Sequence, residues 1–307
     1  MKVLVTGGSG FVGREVVRQL HAAGHAVRIL ARHRPQEGSA TEVCLGDVTN
    51  AASLANATQG MDAVIHLVGI ISELGTATFE NVHTRGTENI LSAARQSGVK
   101  RFVHMSALGT RPNAASRYHQ TKWAAEEAVR ASGLDWTIFR PSVIYGPGDG
   151  FVNLFVRISR FSPVLPVMGS GRSKLQPVPV SDVATCFTRA ITEPRAIGQA
   201  YDLCGRDRLT LIEVLDTILE VTGRSRLKLR IPMALAKAQA AIMECMFRGL
   251  LGTAPPVNRD QLLMLAEDNV GDPKPAKEVF GVEMAGFKEG LARCLTGSSS
   301  VTPTGIT

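Results

Sequence analysis

A tyrosine and a lysine lie four residues apart near the middle of the chain, at Tyr118 and Lys122. Residues four apart share one face of a helix, so both side chains can reach a single site. A lysine ammonium beside a tyrosine hydroxyl favours the phenolate and lowers a pKa that is ordinarily about 10. Such a tyrosine can exchange a proton with a carbonyl or alcohol oxygen while a hydride moves at the neighbouring carbon. With Ser106, which follows a predicted strand and could orient the substrate oxygen, the pair forms the candidate catalytic group.

A glycine-rich turn near the start of the chain predicts a dinucleotide-binding site. The dinucleotide would exchange the hydride in the chemistry described above. Gly7, Gly10 and Gly13 are spaced three apart, between a predicted strand and a predicted helix that begins at Phe11. Gly7 permits the tight turn, Gly10 permits close approach of a pyrophosphate, and Gly13 lets the helix lie near the sheet. The free amides and the dipole of the new helix then face the phosphates. The predicted dinucleotide contacts in this turn are Gly7, Ser9, Gly10, Phe11, Val12 and Gly13.

Alternation of short apolar runs with amphipathic segments supplies the elements that must position these residues. Strands are predicted at 3–5, 25–30, 42–45, 63–67, 101–105, 136–139 and 199–203. Helices are predicted at 11–22, 51–57, 79–96, 116–132, 181–192, 211–222, 232–251 and 258–267. Strand–helix alternation at this spacing is typical of βαβ units. We therefore expect an α/β protein with a doubly wound parallel sheet and a smaller, mostly helical C-terminal domain on the substrate side.

Clusters of proline and glycine mark the predicted domain boundaries. The dinucleotide-binding Rossmann domain is assigned to residues 1–141 and 178–205, and the substrate-side domain to residues 142–177 and 206–295. The last residues, 296–307, are rich in glycine, serine, threonine and proline, which predicts a disordered tail.

Five segments resemble known nucleotide-binding families. The T-G-x-x-G-x-x-G spacing of residues 6–13 resembles the short-chain dehydrogenase/reductase superfamily. The run R-P-S-V-I-Y-G-P-G at residues 140–148 resembles its extended and atypical branches, in which this segment lies against the nicotinamide. Residues 101–108, 116–118 and 176–178 resemble the nucleotide-binding accessory subunit of respiratory complex I and its free-standing bacterial relatives. In that subunit, the resemblance implies a bound NADPH with a structural role.

The resemblance also implies further cofactor contacts. Asp47 and Val48 match the position at which the superfamily holds the adenine ring. Leu67, Val68 and Gly69 match the segment that runs beside the adenosine ribose and the phosphates. The contacts implied around the nicotinamide and its ribose are Met105, Tyr118, Lys122, Pro141 and Val143.

The end of the second strand indicates which dinucleotide is bound. A carboxylate that binds the ribose 2′-hydroxyl is expected there, about 20 residues past the glycines. Residues 30–34 read L-A-R-H-R and contain no carboxylate. Arg32 can pair bidentately with a 2′-phosphate and stack on adenine, and Arg34 adds positive potential. We predict a preference for NADP(H), with NAD(H) as the alternative; the competing interpretation of these arginines is a solvated basic loop.

These features predict an NADP(H)-binding oxidoreductase that acts on a carbonyl, an alcohol or a quinone-like substrate. Two alternatives stay open: a non-catalytic NADPH-binding accessory or sensing subunit of a respiratory complex, and an NAD-dependent sugar-nucleotide epimerase or dehydratase. Only about a dozen residues separate Ser106 from Tyr118, whereas typical active members have a longer segment. That short segment favours the non-catalytic alternative.

Composition narrows the partners and the compartment. The formal net charge of +7 suits an anionic ligand or surface, while 5% aromatic residues argue against nucleic acid. The five scattered cysteines show no metal-ligand spacing, so no metal is expected. No secretory signal or spanning run is recognised. We expect a cytoplasmic protein with a small-molecule substrate that the sequence does not identify; a hydrophobic substrate, contact with a respiratory complex and contact with the inner face of a membrane stay open.

The apolar segment at residues 232–251 admits three interpretations. It is a core helix of the small domain, a lid over a hydrophobic ligand such as a quinone or a lipid, or a helix on a membrane surface. The third is least favoured, because the few charges in the segment do not form a basic stripe.

Overall fold

Seven parallel strands form the centre of the computed structural model, which describes residues 1–34, 41–247 and 251–297. The strands in the described residues are β1 (Lys2–Thr6), β2 (Ala26–Ala31), β3 (Glu42–Leu45), β4 (Ala63–His66), β5 (Arg101–Met105), β6 (Asp135–Pro141), β7 (Ile144–Tyr145), β8 (Val164–Met168), β9 (Lys174–Leu175), β10 (Val178–Pro179), β11 (Gln199–Leu203), β12 (Leu209–Thr210) and β13 (Leu227–Ile231). The central sheet has the order β11-β6-β5-β4-β1-β2-β3. The chain adds strands to one side of β1 as far as β3 and to the other side from β4 onward, so the sheet is doubly wound, which confirms the predicted fold class.

Helices cover both faces of this sheet. The α-helices in the described residues are α1 (Phe11–Ala22), α2 (Ala55–Thr58), α3 (Gly86–Gln96), α4 (Arg117–Arg130), α5 (Val152–Phe161), α6 (Val180–Ala190), α7 (Leu211–Val221), α8 (Met233–Met246), α9 (Arg259–Ala266), α10 (Lys274–Phe280) and α11 (Phe287–Gly297). Side chains alternate along β1, so Val3 and Val5 pack with α1, α6 and α10, whereas Leu4 packs with α3 and α4. Two apolar layers therefore sandwich the sheet.

A smaller unit packs beside the sheet around its own core. That core joins α5, β8, α7 and α11, with Leu165, Val167 and Leu215 at its centre. A separate cluster holds α8 against α9 through Ala236, Ala240 and Leu262. The division into two domains stays a prediction; α10, which lies in the segment assigned to the small domain, packs into the core of the sheet.

Some predicted element boundaries differ from those in the structure. The helix predicted at residues 79–96 starts with a wide π-helical stretch, Glu80–Arg85, before α3. Within the helix predicted at residues 232–251, α8 covers Met233–Met246, and residues 248–250 lie outside the described part of the chain. Helix α11 reaches Gly297, so the first two residues of the predicted tail are helical. Residues 298–307 lie outside the described part of the chain.

Two histidines are buried side by side on neighbouring strands of the central sheet. His66 on β4 and His104 on β5 stack with ring centroids 5.5 Å apart. His66 is held by hydrogen bonds with the Thr6 and Thr87 hydroxyls, at 2.6 and 3.2 Å. Burial, aided by the charge of Lys122, lowers the pKa of His66 to about 3. Burial also brings the pKa of His104 well below its ordinary value.

Because the buried rings stay neutral, we predict that the fold loses stability in mild acid. Above a pH of about 6.5 the histidines are neutral in both the folded and the unfolded chain, so burying them costs no stability through protonation. Below that pH the unfolded chain binds protons that the folded chain cannot. For His66, with its pKa of about 3, the difference costs about 2 kcal/mol of stability at a pH of about 5. Urea unfolding across this range should show the loss.

The substitution His104→Phe should flatten that pH dependence, because it removes one group that titrates only in the unfolded chain. The matched control is His33→Phe, since His33 is exposed. Equal pH slopes for His104→Phe and the unmodified protein would contradict the assignment.

Candidate functional site

A cavity of about 610 Å³ opens at the carboxyl ends of the central strands, beside the point where the strand order reverses. Ligands of doubly wound sheets bind at this position. The cavity is lined by Gly7, Ser9, Gly10, Phe11, Val12, Leu30, Ala31, Arg32, Gly46, Asp47, Val48, Thr49, Leu67, Val68, Gly69, Ile70, Ile71, Thr76, Ala77, Val82 and Met105. The glycine turn, the end of β2, and the segments after β3 and β4 therefore converge on one cleft.

The glycine turn brings the first helix directly against the strand. Gly7 adopts a φ of +76°, and its carbonyl accepts a hydrogen bond from the Gly10 amide at 3.0 Å. A Cβ at Gly13 would lie 2.1 Å from the Gly7 oxygen and 2.6 Å from the Gly8 Cα. Only glycine fits there, so α1 can start within contact of the turn and aim its first amides at the cavity. This cradle fits a pyrophosphate.

The other wall of the cleft carries the predicted adenosine contacts. The Asp47 carboxylate accepts hydrogen bonds from the backbone amide and the hydroxyl of Thr49, both at 2.8 Å, which hold the turn after β3. Arg32 is exposed at the end of β2 and borders the cavity. Arg28, by contrast, is bound to the Glu42 carboxylate. Arg34 is exposed and does not border the cavity.

Lys122 reaches the floor of the cleft from α4. Its Nζ donates to the Met105 carbonyl at 3.0 Å, and a Cβ at Gly69 would lie 3.1 Å from the same atom. Met105 and Gly69 both line the cavity, so the ammonium lies just behind its wall. Burial lowers the pKa of Lys122 to about 8, against the attraction of Glu126.

Glu126, one helical turn after Lys122, is fully buried and neutralised by two arginines. Its carboxylate accepts hydrogen bonds from Arg140 Nε and Nη2, at 2.8 and 2.6 Å, and from Arg130 Nη2 at 2.6 Å. Burial alone would raise the pKa of Glu126, but the hydrogen bonds from Arg140, Ser106 and Arg130 bring it below its usual value. Glu126 is therefore ionised and provides a negative charge near Lys122. Its hydrogen bonds with Arg140 also hold α4 against β6.

Tyr118 packs within a group of rings rather than standing free. It meets Phe79 and His83 edge-on, with centroids 5.9 and 5.2 Å away. Burial raises the pKa of Tyr118 to about 12. Burial is the cause of this shift, so the pKa moves in the direction opposite to the predicted lowering by Lys122. At neutral pH the hydroxyl keeps its proton.

The small domain supplies a helix cap that sequence reasoning missed. The Asp260 carboxylate on α9 accepts hydrogen bonds from the backbone amides of Arg117 and Tyr118, at 2.8 and 2.9 Å. These amides begin α4, so an acidic side chain from a remote helix compensates for the free donors and the dipole there. Ser116 is the local N-cap. The local sequence signals only the serine.

The remaining predicted residues do not line the cavity. Ser106 is buried after β5, and its hydroxyl lies 3.4 Å from that of Thr110. Pro141 and Val143 accept backbone hydrogen bonds from Leu108 and Val178. The predicted contacts outside the lining are Gly13, Arg34, Ser106, Tyr118, Lys122, Pro141 and Val143.

The loop after β4 is the main part of the lining that the sequence did not predict. Ile70, Ile71, Thr76 and Ala77 border the cavity. The available signal was the continuation of the segment 67–69 into two isoleucines. These side chains give the cleft an apolar rim.

Among the residues that the structure describes, no cluster of three or more histidine, cysteine or acidic side chains could hold a metal ion. The five cysteines are free thiols. Within the same residues, no helix has the length and apolarity to cross a bilayer.

Comparisons with known proteins identify a nucleotide-binding family, as the shape of the cleft suggests. Residues 7–194 match a family profile described as NAD(P)H-binding. Ceramide reductase of Caulobacter vibrioides is 32% identical over 235 residues, which cover 75% of this chain and 73% of that protein. The mitochondrial NADH dehydrogenase [ubiquinone] 1 alpha subcomplex subunit 9 of Arabidopsis thaliana is 29% identical over 282 residues, covering 87% and 70%.

Among solved structures, the UDP-glucose 4-epimerase of Thermus thermophilus in complex with NAD superposes with a TM-score of 0.75. It is 22% identical, and the match covers 98% of this chain and 100% of that one. At this identity the likeness extends to the fold.

The close packing at the glycine turn gives a direct test of the cradle. We predict that Gly13→Ala weakens NADPH binding by at least about tenfold and lowers stability by about 1–3 kcal/mol, because the new methyl group forces α1 away from Gly7. Calorimetric titration and thermal unfolding measure the two effects. Gly150→Ala is the matched control, since a Cβ there meets open space. Unchanged NADPH affinity in Gly13→Ala would refute the cradle.

Proposed function

Because this chain belongs to the NAD(P)H-binding, extended short-chain dehydrogenase/reductase family, we propose that it is an NADP(H)-dependent reductase of an apolar carbonyl compound. One observation carries the proposal: Lys122 joins the wall of the dinucleotide cleft to the helix that bears Tyr118. Its Nζ lies against Met105 and Gly69 on the cleft side. A group bound in the cleft and a proton donor on α4 would thus meet at one point.

The protonation states favour the reductive direction. The cofactor supplies the hydride when bound. Tyr118, with its raised pKa, carries a proton at neutral pH and can give it to an oxygen that gains negative charge. Lys122 is cationic below its pKa of about 8 and stabilises the phenolate that this transfer leaves. Ser106 would orient the substrate oxygen.

The cofactor preference is proposed from the end of β2. Arg32 borders the cleft, and the chain offers no carboxylate at residues 30–34. A guanidinium there can bind a 2′-phosphate through two parallel hydrogen bonds and can stack on the adenine. This arrangement supports NADP(H) as the preferred dinucleotide.

The substrate class is proposed from the apolar rim. Ile70, Ile71 and Met105 line the cleft beyond the glycine turn. Such a rim suits an aliphatic or quinone-like carbonyl compound better than a sugar, which needs many hydrogen-bonding side chains. The similarity to a ceramide reductase supports a lipid-like ketone.

A non-catalytic role is the second candidate, and a specific contact favours it. Asp260 ties the small domain to the start of α4, and Tyr118 is packed among rings at that point. A site closed in this way would suit a permanently held NADPH. The similarity to a complex I subunit supports this candidate.

We predict that Tyr118→Phe lowers kcat for NADPH-dependent reduction of apolar ketones by about 10²–10⁴-fold, because the proton donor is lost. NADPH affinity should change by less than about threefold. The decrease in absorbance near 340 nm measures turnover across a panel of aliphatic ketones and quinones.

Tyr201→Phe provides the matched control for this test, since the Tyr201 hydroxyl donates to the Arg195 carbonyl, remote from the cleft. Full activity in Tyr118→Phe would refute the role of this residue. If the unmodified protein binds NADPH but turns over no member of the panel, the reductase proposal fails and the non-catalytic candidate replaces it.

We further predict that Arg32→Ala weakens NADPH binding by about tenfold or more while leaving NADH binding within about twofold, because only NADPH has a 2′-phosphate. Arg95→Ala, on the exposed side of α3, serves as the control. Equal weakening of both cofactors would show that the 2′-phosphate site has been misplaced. Tighter binding of NADH than NADPH by the unmodified protein would favour an NAD-dependent enzyme instead.

A further inference from the structure

Helix α8 carries an apolar stripe on its outer face. Leu235, Ala238, Ile242 and Met246 are spaced three, four and four residues apart, so they line one side of the helix. All four are exposed, with Ile242 at 61%. No described part of the chain covers them. The helix thus presents to solvent the kind of side chains that ordinarily form a core.

The inner face of the same helix is fully used. Ala236 and Ala240 pack against Leu262 of α9 and against side chains of β8 and β13. Glu244 is buried and accepts hydrogen bonds from the backbone and side chain of Arg259, at 2.7 and 3.0 Å. Since the inner face holds the helix in place, the outer stripe is available for a partner.

Neighbouring elements extend the apolar surface. Leu227 and Leu229 point to one side of β13 and are exposed, with Leu227 at 75%. Phe161, at the end of α5, is 79% exposed. The backbone hydrogen bond from the Leu227 amide to the Pro163 carbonyl places these two ends together. Because β13 leads through Pro232 into α8, the exposed side chains form a connected edge of the small domain.

The exposed charge of this edge is basic. Residues 151–168 and 224–246, which span α5, β13 and α8, contain seven basic residues and one acidic residue, Glu244, which is buried against Arg259. Lys228 is paired with Asp216, and Lys237 lines a separate cavity beside the start of α4. The exposed arginines of α5 and β13 are Arg157, Arg160 and Arg230, and the Arg160 guanidinium lies 5.6 Å from the Phe161 ring centroid. Helix α8 itself contributes one lysine, and α5 and β13 supply the exposed arginines.

We propose that this edge, formed by α5, β13 and α8, docks the protein onto an anionic lipid bilayer. Aliphatic and aromatic side chains flanked by arginines suit the boundary between acyl chains and negatively charged headgroups. With 14 residues, α8 is about 21 Å long, so it would lie in the plane of the interface and not cross it. A second copy of the chain would bring a like-charged edge against this one, which opposes self-association.

Vesicle co-sedimentation of the full chain tests the proposal. The probes are vesicles of phosphatidylcholine alone and of phosphatidylcholine with phosphatidylglycerol. We expect binding to the anionic vesicles, little binding to the neutral ones, and loss of binding as salt is raised. The double substitution Leu235→Ser with Ile242→Ser should weaken partitioning by about tenfold or more, because it removes apolar contact area. Replacing Arg157, Arg160 and Arg230 by glutamine should remove the preference for anionic vesicles.

The matched control is Leu45→Ser with Ile197→Ser, which removes an exposed leucine and an exposed isoleucine from the sheet domain. This control should bind vesicles as the unmodified protein does. Thermal unfolding and NADPH affinity, measured for every variant, show whether the fold is intact.

Three results would overturn the proposal. One is failure of the unmodified protein to bind anionic vesicles. Another is equal vesicle binding by the α8 double variant and the unmodified protein. The third is a dimer in solution that the α8 double variant abolishes, since the edge would then be covered by a second copy.

Discussion

The site depends on the close contact between the end of β1 and the first turn of α1. The helix can begin within van der Waals distance of the turn only because Gly13 has no side chain to meet the Gly7 carbonyl. This proximity decides where the helix amides point and how deep the cleft is. Every other wall of the cavity is built on strands that pair outward from β1, so their positions follow from the same contact.

Beneath the cleft, the buried ammonium of Lys122 has one charged partner of opposite sign and otherwise neutral neighbours. Lys122 is opposed by Glu126, while its histidine neighbours His66 and His83 stay neutral because burial depresses their pKa values. Burying charges is costly unless each one is paired and hydrogen-bonded. Arg130 and Arg140 complete the pairing of Glu126 and stack against Trp123, so the same network also locks α4 to the sheet. Stability and the placement of the lysine thus share one set of contacts.

Local signals explain what the sequence predicted well and what it missed. The bounds of α1 and β11 agree with prediction because glycine turns and apolar periodicity act over a few residues. The Asp260 cap lies 142 residues from Tyr118, beyond any local pattern. The pKa of Tyr118 was predicted in the wrong direction because burial depends on tertiary packing. The membrane-surface interpretation of α8 was ranked last because the segment itself has no basic stripe. The exposed arginines of the edge belong to two other elements, α5 and β13, which the sequence does not show to be neighbours of α8.

The unit that carries α8 and α9 contacts both the start of α4 and the loop after β4. Glu244 on α8 holds the first amide of α9, and the next residue along α9, Asp260, caps the helix that carries Tyr118. Asn258 at the same helix start donates to the carbonyl of Ile71 on the apolar rim, at 2.9 Å. A continuous path of hydrogen bonds thus joins the outer edge of the small domain to both the tyrosine and the cleft. Because each contact involves a charged group or a helix cap, a shift of α8 would disturb Tyr118 and Ile71 together.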